Sequence, residues 1–177
     1  MFEKVKSLIR GTINLDKLIK QGLVIGENFH AQEGVIIDPG HCWLIEIGSN
    51  VTLAPRVHIL AHDASTKNIL GYTKIGCVTI GDNVFIGAGT TVLPGVNISS
   101  NTIVGAASVV TKNLESGVYA GNPCEKIYDF SEYILMQKEK MGKIPVYNDK
   151  WTYYNISDKQ KQHMKKDLKK YGAGFIV

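Results

Sequence analysis

Aliphatic residues recur at every sixth position from Ile80 onward. Ile80, Ile86, Val92, Ile98, Val104 and Val110 each open one of six consecutive hexads, IGDNVF, IGAGTT, VLPGVN, ISSNTI, VGAASV and VTKNLE, which run to Glu115. An amphipathic helix, with its 3.6-residue period, does not keep aliphatics at intervals of six over such a length. A triangular coil does: three hexads make one turn, and each side is a strand of two or three residues. Successive coils then share backbone hydrogen bonds at the strand spacing of about 4.8 Å, and the first positions stack into an inward column. The fifth positions, Val84, Thr90, Val96, Thr102, Ser108 and Leu114, are mostly small or β-branched, as a narrow interior requires. Gly or Asn repeatedly follows where a tight corner needs positive φ. The pattern predicts an all-β fold, a parallel β-helix.

Upstream the same period is less regular. IGENFH from Ile25 and AQEGVI are followed by a disturbed stretch containing His41 and Trp43, and then by IGSNVT, LAPRVH and ILAHDA from Ile47. The phase is lost after His62 and returns at Ile75 and Ile80, and the 21 residues from Ile59 to Ile80 are not a multiple of six. The β-helix is therefore expected over 23–122, with an excursion loop at about 63–73 reading DASTKNILGYT. Insertions in repeat proteins gather on one face, often the binding face. The flanks read as helical. Phe2 to Arg10 and Leu15 to Lys20 form an N-terminal segment, 1–22, with Gly11 and Gly22 as breakers. A C-terminal extension, 123–177, holds a helix from Asp129 to Met141, an aromatic connector from Pro145 to Tyr154 and a lysine-rich end. Such appendages are expected to cap the end coils, whose exposed edges would otherwise invite strand pairing.

Composition narrows the class. No apolar run approaches the length needed to span a bilayer. The N-terminus lacks the apolar segment and small-residue cleavage site of a signal peptide, which makes the cytoplasm the expected location. Cys42, Cys77 and Cys124 are odd in number and widely spaced, which points to reduced thiols rather than to zinc or a disulfide framework. The net charge of +4 equals the local excess of six lysines over Asp158 and Asp167 between Ser157 and Tyr171, so the prism body is near neutral. That segment is either a solvated helix with Met164, Leu168 and Tyr171 packed inward, or a basic face drawn to an anionic surface such as a membrane carrying a lipid-linked sugar. Nucleic acid is not an expected partner, since the basic residues lack interleaved aromatics and any binding motif.

Taken together, the hexads, HDASTK from His62, VFIGAGTTVLPGV, VGAASVVTKNL and YAGNPCEKI resemble the left-handed β-helix acyltransferases. The nearest branch is that of the maltose and galactoside acetyltransferases with the bacterial polysaccharide O-acetyltransferases. The resemblance covers about residues 23 to 130. It implies a homotrimer with acetyl-CoA as co-substrate and no metal, transferring acetyl to a hydroxyl of a sugar or lipid-linked sugar during capsule, lipopolysaccharide or exopolysaccharide assembly. Same-fold alternatives are an N-acetyltransferase of an amino sugar nucleotide and a xenobiotic acetyltransferase that inactivates an antibiotic. A non-catalytic β-helix scaffold is the alternative from a different class.

The resemblance makes His62 the general base, a role for which imidazole suits cytoplasmic pH. Asp63 either orients that imidazole or shapes the loop, since adjacent side chains on an extended segment point opposite ways. For the donor the resemblance implies a wall of Gly87, Ala88, Gly89, Gly105 and Ala106, with Thr111 and Lys112. Lys112 and Lys126 supply positive charge for the phosphates. For the acceptor it implies Gln32, where related enzymes carry an asparagine. His41 and His58 stand close to one coil apart, so either could stack near the site or be structural. Trp43 either stacks on a sugar or packs against the coil. Three positions depart from the family pattern: Ser99 and Ala107 replace usual glycines, and Glu125 places a negative charge near the expected phosphates.

Overall fold

A computed structural model describes residues 13–177; the helix expected at Phe2 to Arg10 lies outside the described residues. Three parallel sheets form the faces of a triangular prism. The first face holds Val24–Ile25, Ile45–Ile47, Val78–Ile80 and Asn97–Ile98; the third holds Ile36–Ile37, His58–Ile59, Thr91–Val92 and Val109–Val110. The second runs through His30–Ala31, Thr52–Leu53, Phe85–Ile86, Thr102–Val104 and Gly117–Gly121, and is finished by the antiparallel strand Cys124–Tyr128. The first-position aliphatics Ile80, Ile86, Val92, Ile98, Val104 and Val110 are all buried, as are the fifth positions Val84, Thr90, Val96, Thr102, Ser108 and Leu114. Each large aliphatic so buried contributes about 1.5–3 kcal/mol against an exposed state. The buried hydroxyls are satisfied locally: Thr90 and Ser108 donate to the Gly105 carbonyl, and Thr102 to that of Ser99.

Strand register gives the coil lengths. Ile80 pairs with Ile98, a step of 18 residues or three hexads. Ile25 pairs with Ile47, a step of 22, and Ile47 with Ile80, a step of 33. The surpluses of four and fifteen residues leave the prism at one corner, after the third-face residues Ile37 and Ile59 and before the first-face strands Ile45–Ile47 and Val78–Ile80. The shorter excursion, from Asp38, contains the 3-10 turn Cys42–Leu44. The longer one is a hairpin in which His62 and Asp63 pair with Ile75 and Lys74, closed by the short helix Lys67–Leu70.

The chain divides into two compact units after Phe130. In the first, the helix Leu15–Lys20, capped by the Asn14 side chain, sets Leu18 into the prism core. The C-terminal extension does not begin as a helix. Cys124–Tyr128 doubles back on Gly117–Gly121 through a turn with a cis Asn122–Pro123 bond, so a strand covers the edge of the second face. The boundary expected at 122/123 therefore falls inside a hairpin.

The helix Phe130–Met141 begins at the division and, from Ser131 on, belongs to the second unit, where it leads to a parallel pair, Val146–Tyr147 with Phe175–Ile176. The helix Asp158–Tyr171 starts at a capping box of Ser157 and Gln160 and ends at Gly172, where φ is +77°. Met164 and Leu168 are half-buried and Tyr171 is exposed, while the Tyr147 hydroxyl donates to Asp167 at 3.1 Å. No described helix is long and apolar enough to cross a membrane.

Candidate active site

The two excursions stack, and their side chains meet. Asp38 follows directly on the strand Ile36–Ile37, and its side chain is fully buried. Oδ1 accepts from the Gly40 backbone N–H at 3.0 Å, and Oδ2 accepts from the Ala61 N–H at 3.0 Å and from Nδ1 of His62. Burial alone would push the Asp38 carboxyl up. The hydrogen bonds from His62, Ala61 and Gly40 outweigh it and hold the carboxyl below its ordinary range. Asp38 is thus ionised at neutral pH and requires a proton on Nδ1 of His62, which leaves Nε2 as the ring nitrogen with a free lone pair. The His62 side chain is 37% exposed, open enough to meet a substrate.

His41 lies against this dyad. Its ring centroid is 4.8 Å from that of His62 and 5.3 Å from that of Trp43, and its Nδ1 is 3.9 Å from Asp38 Oδ1. Trp43 is 55% exposed, so most of its ring is free of core packing. His62, His41 and Trp43 therefore share one corner. His58 sits within the third face between Ile36 and Thr91, outside the cluster.

Asp63 faces the loop. Its Oδ1 accepts from the Ser65 N–H at 2.9 Å, and its Oδ2 meets Lys74 Nζ at 2.7 Å across the hairpin. The Lys74 ammonium, then the Ser65 N–H, hold this carboxyl far below the usual range. Of the two readings open for Asp63, loop shaping is the one with contacts here. The carboxylate beside the imidazole is Asp38, which sequence reasoning passed over. One signal was available: Asp38 occupies a column whose later members are Leu60, Leu93 and Thr111, so it is the charged residue in an otherwise uncharged series.

The candidate donor wall lies at another corner. Gly87, Ala88, Gly89, Gly105 and Ala106 turn the chain from the second face to the third, and Gln32 occupies that corner one coil before Ala54. Coil stacking already requires some of these small residues: a Cβ on Gly87 would sit 2.4 Å from the Ala106 nitrogen. Thr111 and Lys112 follow the last strand of the third face. Lys112 Nζ is held by both carboxylate oxygens of Glu125, at 3.0 and 2.9 Å, and Lys126 Nζ by Asp129 at 2.5 Å. These partners raise both ammonium groups above their usual range. The charge of Glu125 is thus spent on Lys112.

Residues 69–112 match the family described as bacterial transferase hexapeptide (six repeats). The chain is 36% identical over 115 residues to a galactoside O-acetyltransferase of Escherichia coli strain K12, covering 61% of this chain and 54% of that protein. A maltose O-acetyltransferase structure from Clostridium difficile 630 superposes with a TM-score of 0.53 at 30% identity, over 72% of this chain and 83% of that one. The chain belongs to the hexapeptide-repeat acetyltransferases. A second member of the family, a galactoside acetyltransferase solved in complex with coenzyme A, superposes with a TM-score of 0.57 at 34% identity, over 63% of this chain and 57% of that one. Membership makes the prism a left-handed β-helix. The chain spans about half the length of the curated relatives it matches.

Proposed function

We propose that this hexapeptide-repeat protein transfers acetyl from acetyl-CoA to a hydroxyl of a sugar, with His62 as general base and Asp38 as the residue that positions it. The observation that carries the reading is the hydrogen bond from His62 Nδ1 to a buried, ionised Asp38. Nε2 takes the proton of the acceptor hydroxyl as that oxygen attacks the thioester carbonyl. The Asp38 carboxylate steadies the imidazolium so formed. Collapse of the tetrahedral intermediate breaks the carbon–sulfur bond, and the imidazolium returns the proton to the leaving CoA thiolate. Atoms and charge balance without a covalent enzyme intermediate. The exposed Trp43 ring supplies an apolar face for a sugar ring beside the base, with His41 next to it.

The donor lies along the wall of Gly87, Ala88, Gly89, Gly105 and Ala106, with Thr111, Lys112 and Lys126 toward its phosphates. That wall and His62 occupy different corners of one prism, which supports a homotrimer in which the wall of one copy serves the base of another. Gln32, on the wall's corner, would then reach the acceptor across the same seam. The galactoside and maltose O-acetyltransferase relatives support a sugar acceptor, and a role in polysaccharide assembly in the cytoplasm is the further part of the proposal. The six lysines of the helix Asp158–Tyr171 would offer such an enzyme a peripheral contact with anionic lipid.

The test is calorimetric titration of acetyl-CoA and desulfo-CoA into the purified protein, followed by thiol-release assays over a panel of sugars and nucleotide sugars. One donor site per chain and thiol release with a sugar are the expected results. Absence of binding by both ligands would overturn the acyltransferase reading.

A further inference from the structure

The acyl-transfer chemistry needs one carboxylate and one imidazole from the corner cluster, and His41 is left over. Its Nδ1 is buried and has no hydrogen-bond partner among the described residues. Burying such a nitrogen costs about 1–3 kcal/mol. Asp38 Oδ1, at 3.9 Å, lies beyond hydrogen-bond reach of it. The ring makes tilted contacts with those of Trp43 and His62, its residue caps the 3-10 turn Cys42–Leu44, and the orphaned nitrogen lies near the carboxylate. One ligand atom from each of Asp38, His41 and His62 falls within 4.8 Å of the other two.

Two imidazoles and a carboxylate are the donor set of an open zinc site. The two nitrogens favour zinc-class ions over magnesium or calcium, which take oxygen ligands. With bonds of about 2.0–2.1 Å, tetrahedral ligands stand about 3.3 Å apart. The His41 to Asp38 separation of 3.9 Å closes to that value with a shift of about half an ångström, a pair at the 4.8 Å limit closes with about 1.5 Å, and His62 and Asp38 draw apart as the ion replaces the proton between them. We propose that Asp38, His41 Nδ1 and His62 Nδ1 bind a zinc-class divalent cation, and that the bound ion switches off the base.

The switch follows from the tautomer. In the metal-free dyad the proton sits on Nδ1 of His62 and Nε2 is the lone pair available to the acceptor hydroxyl. When Nδ1 ligates the ion, the neutral ring carries its proton on Nε2. The number of protons on the ring is unchanged and nothing is oxidised or reduced, but the basic nitrogen has moved from the substrate side to the metal. His41 gains the partner it lacks. The switching, though not the binding, rests on His62 being the base.

Binding is tested on the full chain by Co²⁺ titration, reading the visible d–d absorption of a low-symmetry site, and by equilibrium dialysis with Zn²⁺. A Cys77→Ser form is run in parallel because that thiol is exposed. The expected result is one ion per chain, kept in Cys77→Ser and weakened about ten-fold or more in both His41→Ala and His41→Gln. Thermal melts of the apo variants confirm that they remain folded. Stoichiometric binding that survives both His41 variants, loss of binding in Cys77→Ser, or absence of a d–d band would overturn the site. Zn²⁺ is then added to turnover assays that read the acetylated sugar, because the free CoA thiol itself binds Zn²⁺. Binding with full inhibition supports the switch. Binding without inhibition leaves the ion site standing and refutes the switch, while His62 as base is judged separately by the metal-free turnover of His62→Ala.

Discussion

Two corners of the same prism make opposite use of the same repeat. Between the first and second faces every coil turns without insertion, and Asn28, Asn50, Asn83 and Asn101 stand one above another with φ of 53°, 57°, 56° and 57°. Each donates its side-chain amide to the next, at 3.0, 3.2 and 3.3 Å. Between the third and first faces the surpluses of four and fifteen residues leave the prism, and there Asp38, His41, Trp43 and His62 gather. Regularity satisfies the backbone and leaves no residue free for chemistry. Departure from it places buried charge and imidazole where a rigid column holds them still.

The comparison breaks hardest at the irregular corner. His62→Ala should lower turnover by about 10² or more while leaving the fold intact, because the side chain is part-exposed and carries no core packing. Asp38→Asn should cost about 10²–10⁴ in kcat. The amide would donate to His62 Nδ1, shifting the ring proton to Nε2. Steady-state kinetics with circular dichroism check both, and wild-type turnover in either variant would refute the dyad. Asp38 also makes a pH signature. Its folded pKa is depressed, so its contribution to stability is fully present above the ordinary value of 3.8 and is lost as pH falls through the lower folded value. Acid titration of the wild type should show that loss below 3.8, and Asp38→Asn should lack it.

How much of this was legible in the sequence follows the same division. The six hexads from Ile80 specify the prism because every first position is aliphatic, and the register Ile80 to Ile98 repeats their period. Loss of phase marks an insertion, so the excursion carrying His62 was visible as a break. What the break could not give was its partner. Asp38 and His62 are 24 residues apart, and they meet because the two surpluses leave at the same corner, a fact of register rather than of spacing. Cys124–Tyr128 was hidden for a related reason. A single antiparallel edge strand carries no hexad period, and CEKIY reads as easily toward the following helix.

At the regular corner the expected effects are on stability. Asn83→Ala removes both ladder bonds of that rung and places alanine in the left-handed region, which costs about 1–2 kcal/mol for a residue with a Cβ. Asn83→Gly should lose less, since glycine tolerates the conformation. Denaturant melts check the order. Unchanged kcat in both variants would show that the two corners are energetically separate; a large fall in kcat would collapse the comparison.

A smaller effect is expected at Lys112, which follows the third face at the irregular corner two coils beyond His62. Glu125→Gln releases its ammonium from an exposed, solvent-screened ion pair. If Lys112 faces the donor phosphates, KM for acetyl-CoA should fall by about two- to five-fold, with no change for a donor analogue lacking the 3′-phosphate and pyrophosphate.

The smallest effect belongs to the third corner, between the second and third faces, where Gly34, Arg56, Gly89 and Ala107 occupy equivalent positions with φ of 75°, 61°, 70° and 55°. Two members of this column are glycine and two are not, so the corner mixes tolerance with strain. Alanine at φ 55° carries the left-handed penalty of about 1–2 kcal/mol, while glycine would add about 0.5–1 kcal/mol of unfolded-chain entropy. The difference makes Ala107→Gly stabilising by up to about 1 kcal/mol. A rise in the denaturation midpoint with unchanged kcat would mean that this corner, like the asparagine ladder, answers to backbone geometry alone. A fall in the donor's affinity in the same variant would mean that the Ala107 methyl touches the donor, and that the wall is functional beyond the demands of coil stacking.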